Sequence, residues 1–314
     1  MRQESPTILL ILILYSQFSL CASLSPNLPR ASAPRHQPPQ LPNTRKVVAR
    51  MSSAANFNAV ADTDNNTSRS DETSECITIL GLGSLLSERS SRLTFPNLRN
   101  FRLGRVPNHR RVFMHPAAIF FERGIANIDT LEISSLSCEQ CDGAGFVCSV
   151  FEVPKDEILD DMTGREGTII PSQAYLEREE EFDIVKVPYI EEEAHPSDTA
   201  VHSSAKTGIL CRRWTDEAYA QRWGPDRLSE KYGPHGIKSI WDQWSQPDSG
   251  ILPCAAYLRH CVLAAEKMGS ACYDSFLDET YLVDRTTTIR EYLETKPEVM
   301  ATVPPGELAM RYGG

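Results

Sequence analysis

The chain runs CITILGLGSLL from Cys76 to Leu86 and joins an apolar segment to two glycines and a helix start. The leucine and β-branched residues of this segment predict a buried strand. Gly81 and Gly83 permit a tight turn in which successive backbone N–H groups converge on an anion. We therefore predict an anion-binding loop directly after the first strand, with a plain strand-to-helix turn as the alternative.

This loop differs from two common phosphate-binding motifs. A dinucleotide-binding fingerprint would need a third glycine, and a phosphate loop would need Gly-Lys-Ser or Gly-Lys-Thr. Neither follows Gly83. The sequence therefore indicates no nucleotide-binding loop of either type.

The residues before Cys76 have the composition of a leader. Residues 8–15 form an apolar run that is too short to span a bilayer, and small residues follow it at 21–23. This order predicts a signal peptide over residues 1–23. Residues 24–75 begin with a stretch rich in Arg, Ser and Pro and lacking acids, which predicts a transit-like segment followed by a disordered linker.

The two segments together resemble the two-part presequences that carry proteins through the endoplasmic reticulum into a plastid. The resemblance implies a plastid protein, and a secreted or endomembrane protein is the alternative. The apolar run is too short to predict a stable membrane anchor.

The remainder of the chain is strongly acidic. The 314 residues have a net charge of −10, but residues 1–61 contain six basic residues and one acidic residue, so the rest has a net charge of −15. Phosphate contacts need a clustered basic surface. We therefore predict no nucleic-acid partner, and the composition indicates no particular protein partner.

The pattern of residues 76–314 predicts one α+β domain. Two stretches, 145–153 and 182–187, have strand patterns, and apolar residues recur at helical spacing over 257–268. A capping box at 288–291 predicts the start of a further helix. Because strands and helices do not alternate regularly, we expect a small mixed sheet or barrel with flanking helices.

Two parts of this domain are expected to lie outside its common core. Residues 191–250 contain all four tryptophans without a clean period, and we predict an insertion with short helices near 215–222 and 237–244. Residues 282–314 are predicted to form a helical C-terminal extension.

Glutamates near the strand at 182–187 are the candidates for acid–base chemistry. Glu166 lies in an Arg-Glu-Gly sequence, and Glu179 lies in an Arg-Glu sequence just before the strand. A carboxylate beside an anion-binding loop can act as a general base when burial raises its pKa. Most acidic runs are solvated, so the neighbouring glutamates are predicted to lie on the surface: Glu177, Glu180 and Glu181.

Cysteine chemistry gives a rival interpretation. Of nine cysteines, Cys138 and Cys141 form the one Cys-x-x-Cys pair. A zinc ribbon would need a second pair, and a thioredoxin-like site would need the pair to begin a helix after a strand. The pair instead lies in a Ser- and Gly-flanked stretch before a strand. We predict an ordinary turn with two thiols and no metal site, with a redox or zinc protein as the rival.

The order of these motifs resembles the γ-glutamylcyclotransferase-like family. That family has a glycine-serine loop after its first strand, as at residues 80–86, and then a strand, a helix and one glutamate before another strand. Its later Pro-Ser-x-x-Tyr helix is similar to residues 253–257. The resemblance covers about residues 77–190 and 250–281.

The resemblance implies a fold, a small mixed β-barrel with flanking helices, and it also implies an enzymatic activity. A γ-glutamyl amide or γ-glutamyl amino acid would be converted to 5-oxoproline and a free amine, with one glutamate as general acid and base and with no metal or organic cofactor. A catalytically inactive binding or interaction protein of the same fold is the alternative. The implied substrate-binding residues are Gly81, Leu82, Gly83, Ser84 and Leu85.

Two glutamates compete for the catalytic role because the connection before the second strand is longer than in the family pattern. Glu166 has the Glu-Gly sequence at the family's distance from the strand. Glu179 has an aromatic residue three positions later and a strand directly after it, and we favour it. Leu82 stands where the family has an aromatic residue, so the identity of the γ-glutamyl substrate stays open.

Overall fold

The structure is a computed structural model that describes residues 75–159, 171–191, 206–309 and 311–314. The predicted signal peptide (1–23) and all but the last residue of the predicted leader (24–75) lie outside these residues, and so does Glu166. The chain divides into two units, Met1–Ser68 and Arg69–Gly314, and every described residue belongs to the second. Within the described ranges, no helix is long and apolar enough to cross a membrane.

The described residues form seven strands and nine α-helices. The strands are β1 (Cys76–Gly81), β2 (Arg99–Pro116), β3 (Glu132–Pro154), β4 (Asp183–Glu191), β5 (Lys206–Arg212), β6 (Leu252–Pro253) and β7 (Thr280–Tyr281). The helices are α1 (Glu88–Thr94), α2 (Ala118–Glu122), α3 (Gln173–Arg178), α4 (Asp216–Trp223), α5 (Arg227–Tyr232), α6 (Ala255–Lys267), α7 (Ser270–Asp278), α8 (Ile289–Thr295) and α9 (Glu298–Ala301).

Five of the strands close into a barrel. β2 pairs with β3, β3 with β1, and β5 with β4 in antiparallel fashion, whereas β1 and β5 are parallel. The ring closes where β4 pairs with β2, with Gly104 opposite Glu191. The short strands β6 and β7 extend the sheet beside β3 and β2. This mixed barrel with flanking helices confirms the predicted α+β class.

The core and the helix caps follow from the sequence patterns. Val106 and Phe146 are fully buried on the long strands, and the buried face of α6 packs on the same apolar cluster. The helix predicted over 257–268 is therefore confirmed as α6, and its apolar face packs against the barrel. The capping box is also confirmed, since Thr288 and Glu291 exchange side-chain-to-backbone hydrogen bonds at the start of α8.

The prediction that residues 191–250 form an insertion outside the common core was wrong for β5, because this strand belongs to the barrel and lies between β1 and β4. Gly208 interrupts the apolar pattern of this strand. A Cβ at Gly208 would lie 2.8 Å from Leu80 Cγ, so the close approach of β1 excludes a side chain there. Because Leu80 leaves room only for glycine at position 208, the sequence of β5 lacks the unbroken apolar pattern that would have predicted a strand.

The predicted helix near 237–244 was also wrong, whereas α4 matches the helix predicted near 215–222. The Asp216 carboxylate accepts hydrogen bonds from the N–H groups of Ile240 and Trp241, each at 2.9 Å, and of Asp242 at 3.3 Å. These bonds satisfy the backbone in place of a helical ladder. The segment consequently forms turns that are tied to the first residue of α4.

Candidate active site

The loop after β1 is attached to the barrel and to α1 by two serines. The Leu85 carbonyl accepts hydrogen bonds from Ser149 Oγ at 2.8 Å and from Ser91 Oγ at 2.9 Å. Ser149 lies on β3 directly opposite Gly81, and Ser91 lies on α1. The loop is therefore fixed by side chains from two separate elements.

Close packing explains both glycines of this loop. A Cβ at Gly83 would lie 2.6 Å from Tyr257 Oη, and a Cβ at Gly81 would overlap Ser149 Oγ. The φ angle of Gly83 is −135°, so its backbone is not left-handed. The glycines are needed here for space, because a side chain at either position would displace a neighbour.

A cavity of about 400 Å³ lies beside the loop. Leu82, Gly83, Ser84 and Leu85 line it, whereas Gly81, the fifth residue predicted to bind substrate, does not. Small-molecule sites typically have volumes of roughly 300 to 1,000 Å³. Further side chains with polar groups that line the cavity include Tyr175, Arg178, Glu179, Cys211, Tyr257, His260, Arg123, Arg311 and Tyr312.

Glu179 directly follows α3 in the wall of this cavity, and its side chain is 16% exposed. Burial raises the pKa of its carboxyl group, the Arg178 guanidinium opposes that shift, and the charge of Glu181 adds to it. Arg178 Nε lies 3.2 Å from Glu179 Oε1, and the Cys211 thiol also hydrogen-bonds to the carboxylate. A raised pKa is what a carboxylate needs to exchange protons near neutral pH.

Glu166, the competing candidate, lies outside the residues that the structure describes. Its role stays a prediction, and of the two glutamates only Glu179 belongs to the described wall of the cavity.

Two α6 side chains line the cavity although neither was among the predicted site residues. Burial raises the pKa of the Tyr257 hydroxyl well above its usual range, and this hydroxyl contacts the backbone of Ser84. His260 Nδ1 accepts a hydrogen bond from the Gly314 N–H at 3.0 Å, and its Nε2 lies 3.4 Å from Ser90 Oγ. Burial lowers the pKa of His260 to about 4, so the ring is neutral at pH 7 and both nitrogens are engaged. Helical spacing alone does not distinguish such residues from core residues.

The two glutamates after Glu179 are not solvated, which corrects the prediction from their acidic run; Glu177 is exposed as predicted. The side chains of Glu180 and Glu181 are 4% and 14% exposed, and α4 and α5 supply their partners. We call this set of residues the glutamate clamp: Glu180, Glu181, Tyr219, Arg227, Lys231 and Tyr232.

Within the glutamate clamp, Glu180 is fully ion-paired. Arg227 Nε donates to Glu180 Oε1 at 2.9 Å, Lys231 Nζ donates to Oε2 at 2.7 Å, and the Tyr219 hydroxyl donates to Oε1. Burial alone would raise the pKa of Glu180, but the hydrogen bonds from Arg227, Lys231 and Tyr219 lower it to about 2. This carboxylate is therefore held as an anion and is unsuited to proton transfer at neutral pH.

Two tryptophans of residues 191–250 hydrogen-bond to the backbone of Glu180 and Glu181. Trp223 Nε1 donates a hydrogen bond to the Glu180 carbonyl at 3.1 Å, and Trp241 Nε1 donates one to the Glu181 carbonyl at 2.9 Å. The chain immediately after Glu179 is thus fixed through both side chains and carbonyls. The segment predicted as an insertion supports the cavity wall that carries Glu179.

The Cys-x-x-Cys pair lies within strand β3, not in the predicted turn, and its two cysteines have different environments. Cys138 is fully buried, its thiol lies 3.5 Å from the Cys211 carbonyl, and burial raises its pKa. Cys141 is half-buried near the turn at Gly143. In the part of the chain that the structure describes, no group of three or more His, Cys, Asp or Glu side chains is placed to hold a metal ion.

The fold and the site define a mixed-barrel α+β protein in which a largely buried glutamate lines a cavity of about 400 Å³. Neither a family model nor a curated protein matches the chain. Among solved structures, a gamma-glutamyl cyclotransferase is similar at 11% identity and a TM-score of 0.36, over 74% of this chain and 90% of that chain.

Two further solved structures are similar at the same level. A yeast gamma-glutamyl cyclotransferase described as specific to glutathione is 13% identical, with a TM-score of 0.34 over 72% of this chain and 96% of that chain. An uncharacterized protein from Homo sapiens is 11% identical, with a TM-score of 0.35 over 74% of this chain and 90% of that chain.

Proposed function

We propose that the chain is an enzyme that converts a γ-glutamyl amide or γ-glutamyl amino acid to 5-oxoproline and a free amine. The supporting observation is that one cavity brings together the glycine-serine loop and Glu179, a buried carboxyl group of raised pKa. The order of the sequence motifs, which resembles that of the γ-glutamylcyclotransferase-like family, agrees with this activity.

The loop would orient the substrate for ring closure. Backbone N–H groups of Gly83, Ser84 and Leu85 would hold the α-carboxylate of the γ-glutamyl group. The substrate's own α-amine then attacks the γ-carbonyl carbon, a new C–N bond closes the five-membered ring, and the bond to the leaving nitrogen breaks. Because the nucleophile belongs to the substrate, orientation supplies much of the rate enhancement and no nucleophilic side chain is needed.

Glu179 would move the proton that this reaction transfers. Its carboxylate accepts one proton from the α-ammonium group, which frees the amine to attack, and the resulting carboxyl group returns that proton to the leaving nitrogen. The second proton, which the ring nitrogen loses as the lactam forms, goes to the released amine, which departs as an ammonium ion. The products are 5-oxoproline and a free amine, and the glutamate regains its starting state. Proton transfer of this kind contributes roughly 10²- to 10⁴-fold to the rate.

The test is the release of 5-oxoproline by the purified protein from γ-glutamyl dipeptides, γ-glutamylamines and glutathione. We expect turnover of at least one substrate, with one free amine formed for each 5-oxoproline. If none is turned over but calorimetry detects binding of a γ-glutamyl compound, the inactive binding protein is the correct description instead.

We also propose that residues 1–75 direct the protein to a plastid, as their two-part composition implies. A fluorescent protein fused after residue 75 should enter the plastid of cells that import through the endoplasmic reticulum. Fluorescence that stays in the endomembrane system or in the medium would support the secretory alternative.

A further inference from the structure

Three arginines from distant parts of the sequence line the cavity. Arg123 follows α2, Arg178 is the last residue of α3, and Arg311 lies three residues before Gly314 at the end of the chain. We call these three residues the arginine rim. Tyr312, next to Arg311, lines the same cavity, so the end of the chain contributes directly to the site.

The positive charge of the arginine rim exceeds the negative charge that is paired with it. Arg178 forms an ion pair with Glu179 at 3.2 Å. Arg123 Nη1 donates a hydrogen bond to the uncharged Tyr312 hydroxyl at 2.6 Å, and its guanidinium lies 5.7 Å from the centre of that ring. Among the described residues, the Arg311 guanidinium has neither a hydrogen bond nor an ion pair.

The other charged groups of the cavity do not neutralise the rim. Glu177, Glu180 and Glu181 also line it. Glu177 is exposed and accepts a hydrogen bond from Gln173, and the other two carboxylates are engaged in the glutamate clamp. Arg311 is exposed as a whole residue, but partial burial lowers the pKa of its guanidinium, and the charges of Arg123 and Arg178 lower it further. Like charges held together in a cavity are unfavourable until an anion joins them.

We propose that Arg123 and Arg311 form a second carboxylate-binding subsite, which binds the amine-derived portion of the substrate. Guanidinium groups bind carboxylates through paired charge-assisted hydrogen bonds. The inference rests on the proposed function: the loop binds the α-carboxylate of the γ-glutamyl group, and the arginine rim binds a carboxylate on the leaving side. The favoured substrates are then γ-glutamyl amino acids or peptides, not γ-glutamylamines.

A matched pair of substrates tests this subsite. γ-Glutamyl-alanine and γ-glutamyl-ethylamide differ only in the carboxylate on the leaving side. We expect the wild-type protein to favour γ-glutamyl-alanine in kcat/KM by roughly 10- to 100-fold, the range for a hydrogen bond to a charged group. Arg311→Gln should remove most of this preference, because it raises KM for γ-glutamyl-alanine much more than KM for the ethylamide.

Arg99→Gln is the control, because Arg99 is exposed, lies outside the cavity and loses the same charge. Equal kcat/KM for both substrates in the wild type, or an equal loss for both in Arg311→Gln, would overturn the subsite. If neither substrate is turned over, calorimetry with the wild-type protein decides. A tenfold binding preference for γ-glutamyl-alanine that Arg311→Gln abolishes supports the subsite and rejects the activity, whereas no preference rejects the subsite.

Discussion

The cavity and the glutamate clamp shift the pKa values of two adjacent glutamates in opposite directions. Glu179 faces the cavity, has one cationic partner, and has a pKa that burial raises. Glu180 lies in the clamp and accepts hydrogen bonds from two cations and a tyrosine, which lower its pKa to about 2. The difference comes from the partners that α4 and α5 supply to one carboxylate and not to the other.

This comparison shows that the partners of each carboxylate, not its residue type, determine its proton affinity. A fully paired carboxylate stabilises the folded state but has little tendency to accept a proton, whereas an underpaired buried carboxylate can exchange protons at a cost in stability. The glutamate clamp fixes the chain next to Glu179 without adding a donor to the Glu179 carboxylate itself.

The largest expected effect on stability is that of Glu180→Gln. It leaves Arg227 without its counter-charge and Lys231 with only the more distant Glu181, at 3.8 Å, and we expect the free energy of unfolding to fall by about 2 kcal/mol in urea at pH 7. This is less than for a fully buried pair, because the Arg227 side chain is 43% exposed. Glu179→Gln, which removes an underpaired buried charge, is the matched control and should leave the free energy of unfolding nearly unchanged.

The stability difference between the wild type and Glu180→Gln should depend on pH. The folded-state pKa of Glu180 lies below the ordinary 4.5, so its contribution to stability is complete above pH 4.5 and is lost as the pH falls towards 2. The difference in unfolding free energy between wild type and Glu180→Gln should therefore shrink over this interval. A difference that stays constant from pH 7 to pH 2.5 would contradict the assignment of the low pKa.

A smaller loss of stability is expected at Gly83, where the loop packs tightly against Tyr257. Gly83→Ala places a Cβ 2.6 Å from Tyr257 Oη, and the forced displacement should cost about 1 kcal/mol of stability and lower kcat/KM. Tyr257→Phe combined with Gly83→Ala removes the overlapping oxygen and should recover part of the lost stability in thermal unfolding. Full stability of Gly83→Ala alone would show that the loop has room that the structure does not give it.

The smallest effect is a displacement of the pH profile. The rate should fall at acidic pH as Glu179 becomes protonated, with a midpoint above 4.5 because burial raises the pKa of Glu179. Arg178 opposes this rise, so Arg178→Gln should move the midpoint of kcat to higher pH. The Arg99→Gln protein should keep the wild-type midpoint, and an Arg178→Gln midpoint at lower pH would have the wrong sign.

The sequence predicted those features that depend on local pattern. The strand before Gly81, the helix over 257–268 and the capping box at 288–291 each have a residue spacing that the structure reproduces. It did not predict β5, because close packing against Leu80 put a glycine in the middle of that strand.

The chemistry of the acidic run depends on partners that are distant in the sequence. Glu179, Glu180 and Glu181 are the same residue type, and their different partners distinguish them: α4 and α5 supply those of Glu180 and Glu181, whereas Glu179 contacts Arg178 and Cys211. The arginine rim likewise combines residues from positions 123, 178 and 311, which no local motif connects. Helix and strand patterns therefore predicted the frame of the site but not its electrostatics.

The central claim, that Glu179 transfers the proton in this cavity, is tested most directly by comparing Glu179→Gln with Glu166→Gln in 5-oxoproline release. Both proteins would be assayed at equal folded concentration on the best wild-type substrate. We expect Glu179→Gln to lose roughly 10²- to 10⁴-fold in kcat and Glu166→Gln to stay close to the wild-type rate. A Glu179→Gln protein that is folded and releases 5-oxoproline at the wild-type rate would contradict the account.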